Sequence, residues 1–164
     1  MASPRSVPGN PPPWTARLFP VALDGASLTD LLALLTKWNV RFLRANPRTP
    51  SIYKAGVRYL PEPAGDEWWL TIPFVMAFGG SVCHSLACWR AAELIAAGEQ
   101  AMAKWSEQKR SDGSSLFHVR VFHANGQIED PSLALGMNEV QERTRGRLYG
   151  PNHHVPSVVG MEWH

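Results

Sequence analysis

The sequence is poor in net charge and has no long apolar run. Its formal net charge is only +2 over 164 residues, which argues against nucleic acid or a membrane surface as the main partner. No run of about 18 apolar residues is present, so no transmembrane helix is expected. Residues 1–14 contain one arginine and no apolar core, which is not the pattern of a secretory signal peptide.

Cysteine is also scarce, with Cys83 and Cys88 as the two examples. Five positions apart on a predicted helix, they point about 140° away from each other, so no disulfide between them is expected. A chain without a disulfide framework favours a reducing compartment. The chain also lacks a Cys-x-x-Cys pair and the lysine-bearing glycine loop of a nucleotide site, so we expect no metal and no cofactor.

The sequence does contain enough apolar residues, 45%, to build the core of one domain. Residues 1–15 are rich in proline and predict an extended arm. Residues 141–164 show no clear hydrophobic period and predict a second extended arm. The region between them, residues 16–140, predicts one α+β domain.

The first half of this domain carries helical patterns. One apolar stripe of helical period begins after Ser27, which we expect to cap the helix, and runs to about Ala45. Pro73 suits the first turn of a short helix that ends at Gly79. A longer helix is expected at about residues 82–97.

The second half carries strand and turn signals. An irregular segment with one short strand is expected at 51–63. Residues 101–108 and 116–123 then predict a hairpin, because both alternate and turn-forming residues separate them. The turn at Asn125-Gly126 leads into a third strand at 127–129.

Three residues of this pattern could form a cysteine-dependent acyl-transfer site. Cys83 begins the predicted helix, where unpaired N–H groups and the helix dipole favour the thiolate and the sulfur should be accessible. His118 lies on the strand face opposite to Phe117 and Val119, and Asp130 ends the strand that runs back beside it. A thiolate, an imidazole that moves its proton and a carboxylate that orients the imidazole are the minimum parts of such a site.

Each of these residues also has a plainer interpretation. Cys83 could be a buried apolar cysteine, which is the usual fate of the residue and the interpretation that we favour for Cys88. Asp130 precedes a proline, a position where aspartate often forms a turn. His123 and Glu129 fall on the opposite strand faces and are the weaker alternatives for the base and the orienting carboxylate.

The order of helix-borne cysteine, strand-borne histidine and strand-end aspartate resembles the transglutaminase-like superfamily, a branch of the papain-like cysteine enzymes. The stretches Arg48–Tyr59, Cys83–Leu94 and Ile128–Met137 look like small transglutaminase-like proteins of tailed bacteriophages and prophages. The resemblance covers residues 28–137. It implies an α+β fold in which the helix that bears the cysteine packs on a small antiparallel sheet that bears the histidine and the aspartate.

This resemblance implies cysteine-dependent acyl transfer on amide bonds of a protein or peptide, by hydrolysis or by transfer to an amine. It also implies a phage protein of the host bacterial cytoplasm or the virion, with residues 1–15 and 141–164 available to contact other virion proteins. The indole N–H of Trp68 or Trp69 could bind the oxyanion, although both could instead be core residues. The alternative function is that of a non-catalytic virion structural or assembly protein that retains the fold.

The sequence departs from the family pattern beside the cysteine. The family usually has Gly-Asp-Cys followed by two acidic residues, whereas this chain has Ser81-Val82-Cys83-His84-Ser85. The loss of neighbouring carboxylates favours the thiolate electrostatically. It is also what a site altered under relaxed selection would show.

Overall fold

The structure is a computed structural model that describes residues 25–62, 68–109 and 115–138. The two arms predicted for residues 1–15 and 141–164 lie outside these ranges. Within the described ranges, no helix combines the length and the apolar character needed to cross a bilayer.

Helices form the first layer of the domain. The described helices are α1 (Gly25–Ala45), α2 (Ile72–Phe78), α3 (Cys83–Ala96) and α4 (Pro131–Ala134). The predicted bounds of α2 and α3 are confirmed to within one residue. The expected cap of α1 is wrong, because Ser27 lies inside the helix. Trp105 Nε1 donates a hydrogen bond of 3.2 Å to Gly25 O, which fixes helical backbone already two residues before Ser27.

Two sheets complete the described fold. Strands β1 (Arg58–Tyr59) and β2 (Gly80–Ser81) form a parallel pair, and β3 (Ala101–Lys109), β4 (Ser115–His123) and β5 (Ile128–Glu129) form an antiparallel sheet in that order. The predicted hairpin and third strand are therefore confirmed. The α+β class and the packing of a helix on a small antiparallel sheet are confirmed as well.

Helix α3 lies at the centre of the domain, and ten of its 14 residues are buried. One side, with Leu86 and Trp89, packs in a cluster with α2 and the segment around β1. The other side, with Ala87 and Ala91, packs against α1 and against Val121 of the antiparallel sheet. Because both sides of α3 are enclosed, the position of its first residue is set by the whole core.

The turn before α3 is held by the parallel strand pair. Leu60 N donates to Ser81 O at 3.0 Å, two residues before Cys83. A Cβ atom on Gly80 would lie 2.0 Å from Arg58 O, so glycine is required for the two strands to approach this closely. The strand pair therefore fixes the backbone that leads into the start of α3.

Candidate active site

Cys83 is the first residue of α3 and follows Val82, whose backbone is extended with φ −91° and ψ 178°. Valine has no side-chain acceptor, so the first N–H groups of α3 are not capped by it and the positive end of the helix dipole faces the thiol. Only 4% of Cys83 is exposed, because it packs among the cluster that includes Val119 and Trp69. The expectation of an accessible sulfur is therefore wrong, since the sheet closes over the start of the helix.

His118 and Asp130 meet as the sequence predicted. The ring atom His118 Nε2 lies 2.6 Å from Asp130 Oδ2, and 8% of His118 is exposed. The register of β4 with β5, in which Val121 pairs with Glu129, brings the residue after Glu129 back alongside β4. The short third strand thus places the carboxylate on the imidazole.

Asp130 also starts a helix, so both interpretations of this residue apply at once. Its Oδ1 atom accepts hydrogen bonds from Ser132 N at 3.1 Å and Leu133 N at 3.2 Å, which caps α4. Burial raises the pKa of Asp130, but the hydrogen bond and the charge of His118 outweigh it and hold the pKa below its usual value. Both oxygens of the carboxylate are therefore engaged, Oδ2 with His118 and Oδ1 with the first turn of α4.

The His118 ring contacts Cys83 as well as Asp130. Burial lowers the pKa of His118, but hydrogen bonds to Asp130 and Cys83, together with the charges of both, raise it to about 10. Because Nε2 bonds to Asp130, Nδ1 is the ring nitrogen that remains for the sulfur. The interaction is reciprocal, so a protonated His118 favours the thiolate of Cys83.

The two tryptophans lie on different sides of α3. Trp68 packs against Phe78, with ring centroids 5.6 Å apart, and belongs to the cluster remote from Cys83. Trp69 packs against the cluster that contains Cys83 and stacks on His84, with ring centroids 4.1 Å apart. Its Nε1 atom is buried and has no hydrogen-bond partner within the described residues. Trp69 is thus the better placed of the two for binding an oxyanion.

His84 takes part in the packing of the segment that contains Trp68 and Trp69. It is buried, and its Nε2 atom lies 3.1 Å from Trp68 O. Ser85 Oγ accepts a hydrogen bond from Leu70 N at 3.0 Å. His84 and Ser85 therefore fasten the segment that contains Trp68 and Trp69 to α3.

A second polar network lies next to the site and was missed by the sequence reasoning. Glu129 accepts hydrogen bonds from Arg90 Nε at 2.8 Å, from His123 Nε2 at 3.0 Å and from Tyr53 Oη. Arg90 also donates to Glu93 at 3.2 Å. The spacing of Arg90 and Glu93 on a helix was visible in the sequence, but their partners come from distant segments and carried no local signal.

This network fastens the strand that ends at Asp130 to the helix that begins at Cys83. Arg90 lies on α3 and Glu129 on β5, and both side chains are largely buried. Burial raises the pKa of Glu129, but its bonds to Arg90 and Tyr53 outweigh that effect and lower the pKa. His123 and Glu129, the weaker alternatives for base and carboxylate, thus belong to this network rather than to the cysteine.

Within the described ranges, no three His, Cys, Asp or Glu side chains come together in an arrangement that could hold a metal ion. Neither Cys83 nor Cys88 forms a disulfide, and Cys88 is fully buried. No protein-family model, curated protein or solved structure matches this chain. Function is therefore inferred from the geometry of the site.

Proposed function

We propose that the chain is a cysteine-dependent acyl-transfer enzyme of the transglutaminase-like or papain-like type that acts on amide bonds of a protein or peptide. One observation carries this proposal: the imidazole of His118 bonds to Asp130 at 2.6 Å and interacts with Cys83 at the start of α3. A base that contacts both a nucleophile and an orienting carboxylate is the arrangement that covalent acyl transfer needs.

In the first half-reaction, the thiolate of Cys83 attacks the amide carbonyl carbon and the carbonyl oxygen takes up the electron pair. The imidazolium of His118 gives its proton to the leaving nitrogen, the C–N bond breaks and a thioester remains on Cys83. Asp130 holds the ring and stabilises its positive charge throughout. The leaving amine is thus released neutral.

In the second half-reaction, water or an amine attacks the thioester carbon while His118 accepts a proton from the attacking group. The C–S bond breaks and restores the thiolate of Cys83. Water gives a carboxylic acid, and an amine gives a new amide. The oxyanion of both steps would be bound by the backbone N–H of Cys83 and by the indole N–H of Trp69.

Alkylation of the thiol tests this proposal without a known substrate. A Cys88→Ala background leaves Cys83 as the only cysteine, and the rate of its reaction with iodoacetamide is measured across pH with and without His118→Ala. We expect the parent to react well below the pH range of an ordinary thiol, which has a pKa of about 8.5, and His118→Ala to return to that range. Ordinary behaviour in both proteins would rule out an activated nucleophile.

The burial of Cys83 favours a second candidate, a non-catalytic phage structural or assembly protein that keeps the fold. A sulfur enclosed by core residues can contribute packing alone. In a phage that carries the chain, this candidate predicts normal progeny from Cys83→Ala and loss of particle incorporation on deletion of residues 2–13. Normal incorporation of the deletion variant, with progeny lost only in Cys83→Ala, would favour catalysis.

A further inference from the structure

Strand β4 directs Arg120 and Phe122 to the face of the sheet that is turned away from α3. His118 leaves the strand on the same side, but it is buried and contacts Cys83 at the start of α3. Alternate residues of a strand point to opposite faces, and the intervening Val119 and Val121 are the ones that pack with α3. We call the face that carries Arg120 and Phe122 the outward face. It adjoins the candidate active site, because Arg120 Nε lies 4.0 Å from Asp130 Oδ2.

A pair of cations lies on the outward face next to the triad. Lys104 is the direct register partner of Arg120 on the neighbouring strand. Like charges in directly opposite positions destabilise a sheet, so this pair is a cost to the fold unless an anion offsets it. Lys104 Nζ lies 5.5 Å from the centroid of the Phe122 ring.

Asp130 is the carboxylate next to Arg120, and it already bonds to His118. Arg120 Nε lies 4.0 Å from Asp130 Oδ2, the same oxygen that bonds to His118 at 2.6 Å. Arg120 donates no hydrogen bond to another of the described residues, and 41% of its side chain is exposed. A planar guanidinium with several donors directed to solvent, a short distance from the triad, suits a carboxylate ligand.

Beyond the two cations, the outward face is apolar. Phe122 is flanked in register by Met102 on β3 and by Ile128 on β5. Met102 is 58% exposed and Ile128 is 50% exposed, which is high for side chains of this size. Successive rows on one face are about 7 Å apart, so an extended chain leaving His118 would meet first the cations and then this apolar row.

We propose that the outward face binds the substrate, and that Arg120 and Lys104 bind a carboxylate close to the reacting amide. This inference rests on the proposed acyl-transfer function, for which it names an acidic protein or peptide as the substrate class. The carboxylate could belong to an acidic side chain or to a chain terminus, since the guanidinium recognises the same group in both.

Matched alkylating reagents test this inference in the Cys88→Ala background. N-iodoacetyl-glutamic acid α-amide and N-iodoacetyl-glutamine α-amide have the same shape and differ by one charge. We expect the glutamate reagent to alkylate Cys83 about two- to fivefold faster, the range typical of an exposed ion pair. Arg120→Gln should lower that ratio at least twofold, and Arg120→Lys should retain part of it.

Two controls make the result specific. Arg41→Gln removes the same charge from an exposed position on α1 and should leave the ratio unchanged. N-iodoacetylglycine and its amide form a second pair, and preference in this pair alone would identify a terminal carboxylate. A ratio of one in both pairs, a ratio that Arg120→Gln leaves unchanged, or an equal drop in Arg41→Gln would overturn the inference.

The neutral glutamine reagent separates this inference from the function on which it rests. If it alkylates Cys83 more slowly in His118→Ala than in the parent while the ratio of reagents is one, only the carboxylate site is wrong. If His118→Ala leaves its rate unchanged, the proposed acyl-transfer function fails, and a charge preference would then describe an anion site without catalysis.

Discussion

Replacing Asp130 with asparagine should prevent His118 from activating Cys83 while leaving the fold nearly intact. Oδ2 of the carboxylate faces His118 Nε2, and Oδ1 accepts from the N–H groups of Ser132 and Leu133. An asparagine that keeps its oxygen on those two donors must point its NH2 group at the ring. His118 then has to accept at Nε2 and carry its proton on Nδ1, the wrong tautomer for taking a proton from the thiol.

The size of the loss follows from the hydrogen bond that is removed. Hydrogen bonds to charged groups contribute about 1.5–3 kcal/mol, so the thiolate–imidazolium pair should become roughly 10- to 150-fold less populated. The contribution of the α4 cap to the free energy of unfolding should change by less than about 1 kcal/mol, because asparagine and aspartate cap helices about equally well. Asp130→Ala should lose the cap of α4 in addition, at a cost of about 1 kcal/mol.

Iodoacetamide alkylation at pH 7 in the Cys88→Ala background, combined with urea unfolding, measures both effects. Asp30→Asn is the matched control, because it makes the same change at an exposed position on α1. The asparagine variant at position 130 should be alkylated at least about tenfold more slowly than this control. Equal rates would refute the reasoning and leave Asp130 as the starting residue of α4 alone.

Three further predictions concern the surroundings of the site. Trp69→Phe keeps an aromatic ring but removes the indole N–H, so cysteine-dependent hydrolysis of a chromogenic ester should fall about 100-fold; an unchanged rate would exclude Trp69 as an oxyanion donor. Glu129→Gln leaves Arg90 without its charged partner and should lower the free energy of unfolding in urea by about 1–3 kcal/mol; no change would show that the network is not stabilising. Because the folded-state pKa of Asp130 is lowered, its stabilisation is present above about pH 4 and is lost as pH falls through that lower pKa. Asp130→Asn should therefore lose less stability than wild type in urea unfolding between about pH 4 and pH 2, and equal losses would contradict the shift.

Helices and strands could be predicted wherever their signals are local. Pro73 and Gly79 bracket α2, and the Asn125-Gly126 turn returns β5 along β4. The position of Ser27 inside α1 could not be predicted in this way, because the bond from Trp105 to Gly25 joins positions 80 residues apart. A contact of that kind overrides a local capping preference and leaves no mark in the sequence around Ser27.

The same distinction applies to the site. The contact between His118 and Asp130 follows from the register of β4 with β5. The turn residues Asn125 and Gly126 make that register predictable from the sequence. The choice between Trp68 and Trp69 depends on which side of α3 each ring occupies, and adjacent residues in an irregular segment give no period from which to infer it. The burial of Cys83 depends in turn on how the sheet closes over α3, which is a property of the assembled core.

The double use of Asp130 has a consequence for reading any relatives of this chain. One oxygen serves the fold by starting α4, and the other serves the imidazole. If the proposed acyl-transfer function holds, a relative that lacks it would still need an aspartate or asparagine at this position to cap α4, whereas its His118 would have no chemical role. An aspartate at position 130 in a relative is therefore weak evidence of activity. The presence of both Cys83 and His118 would be stronger evidence.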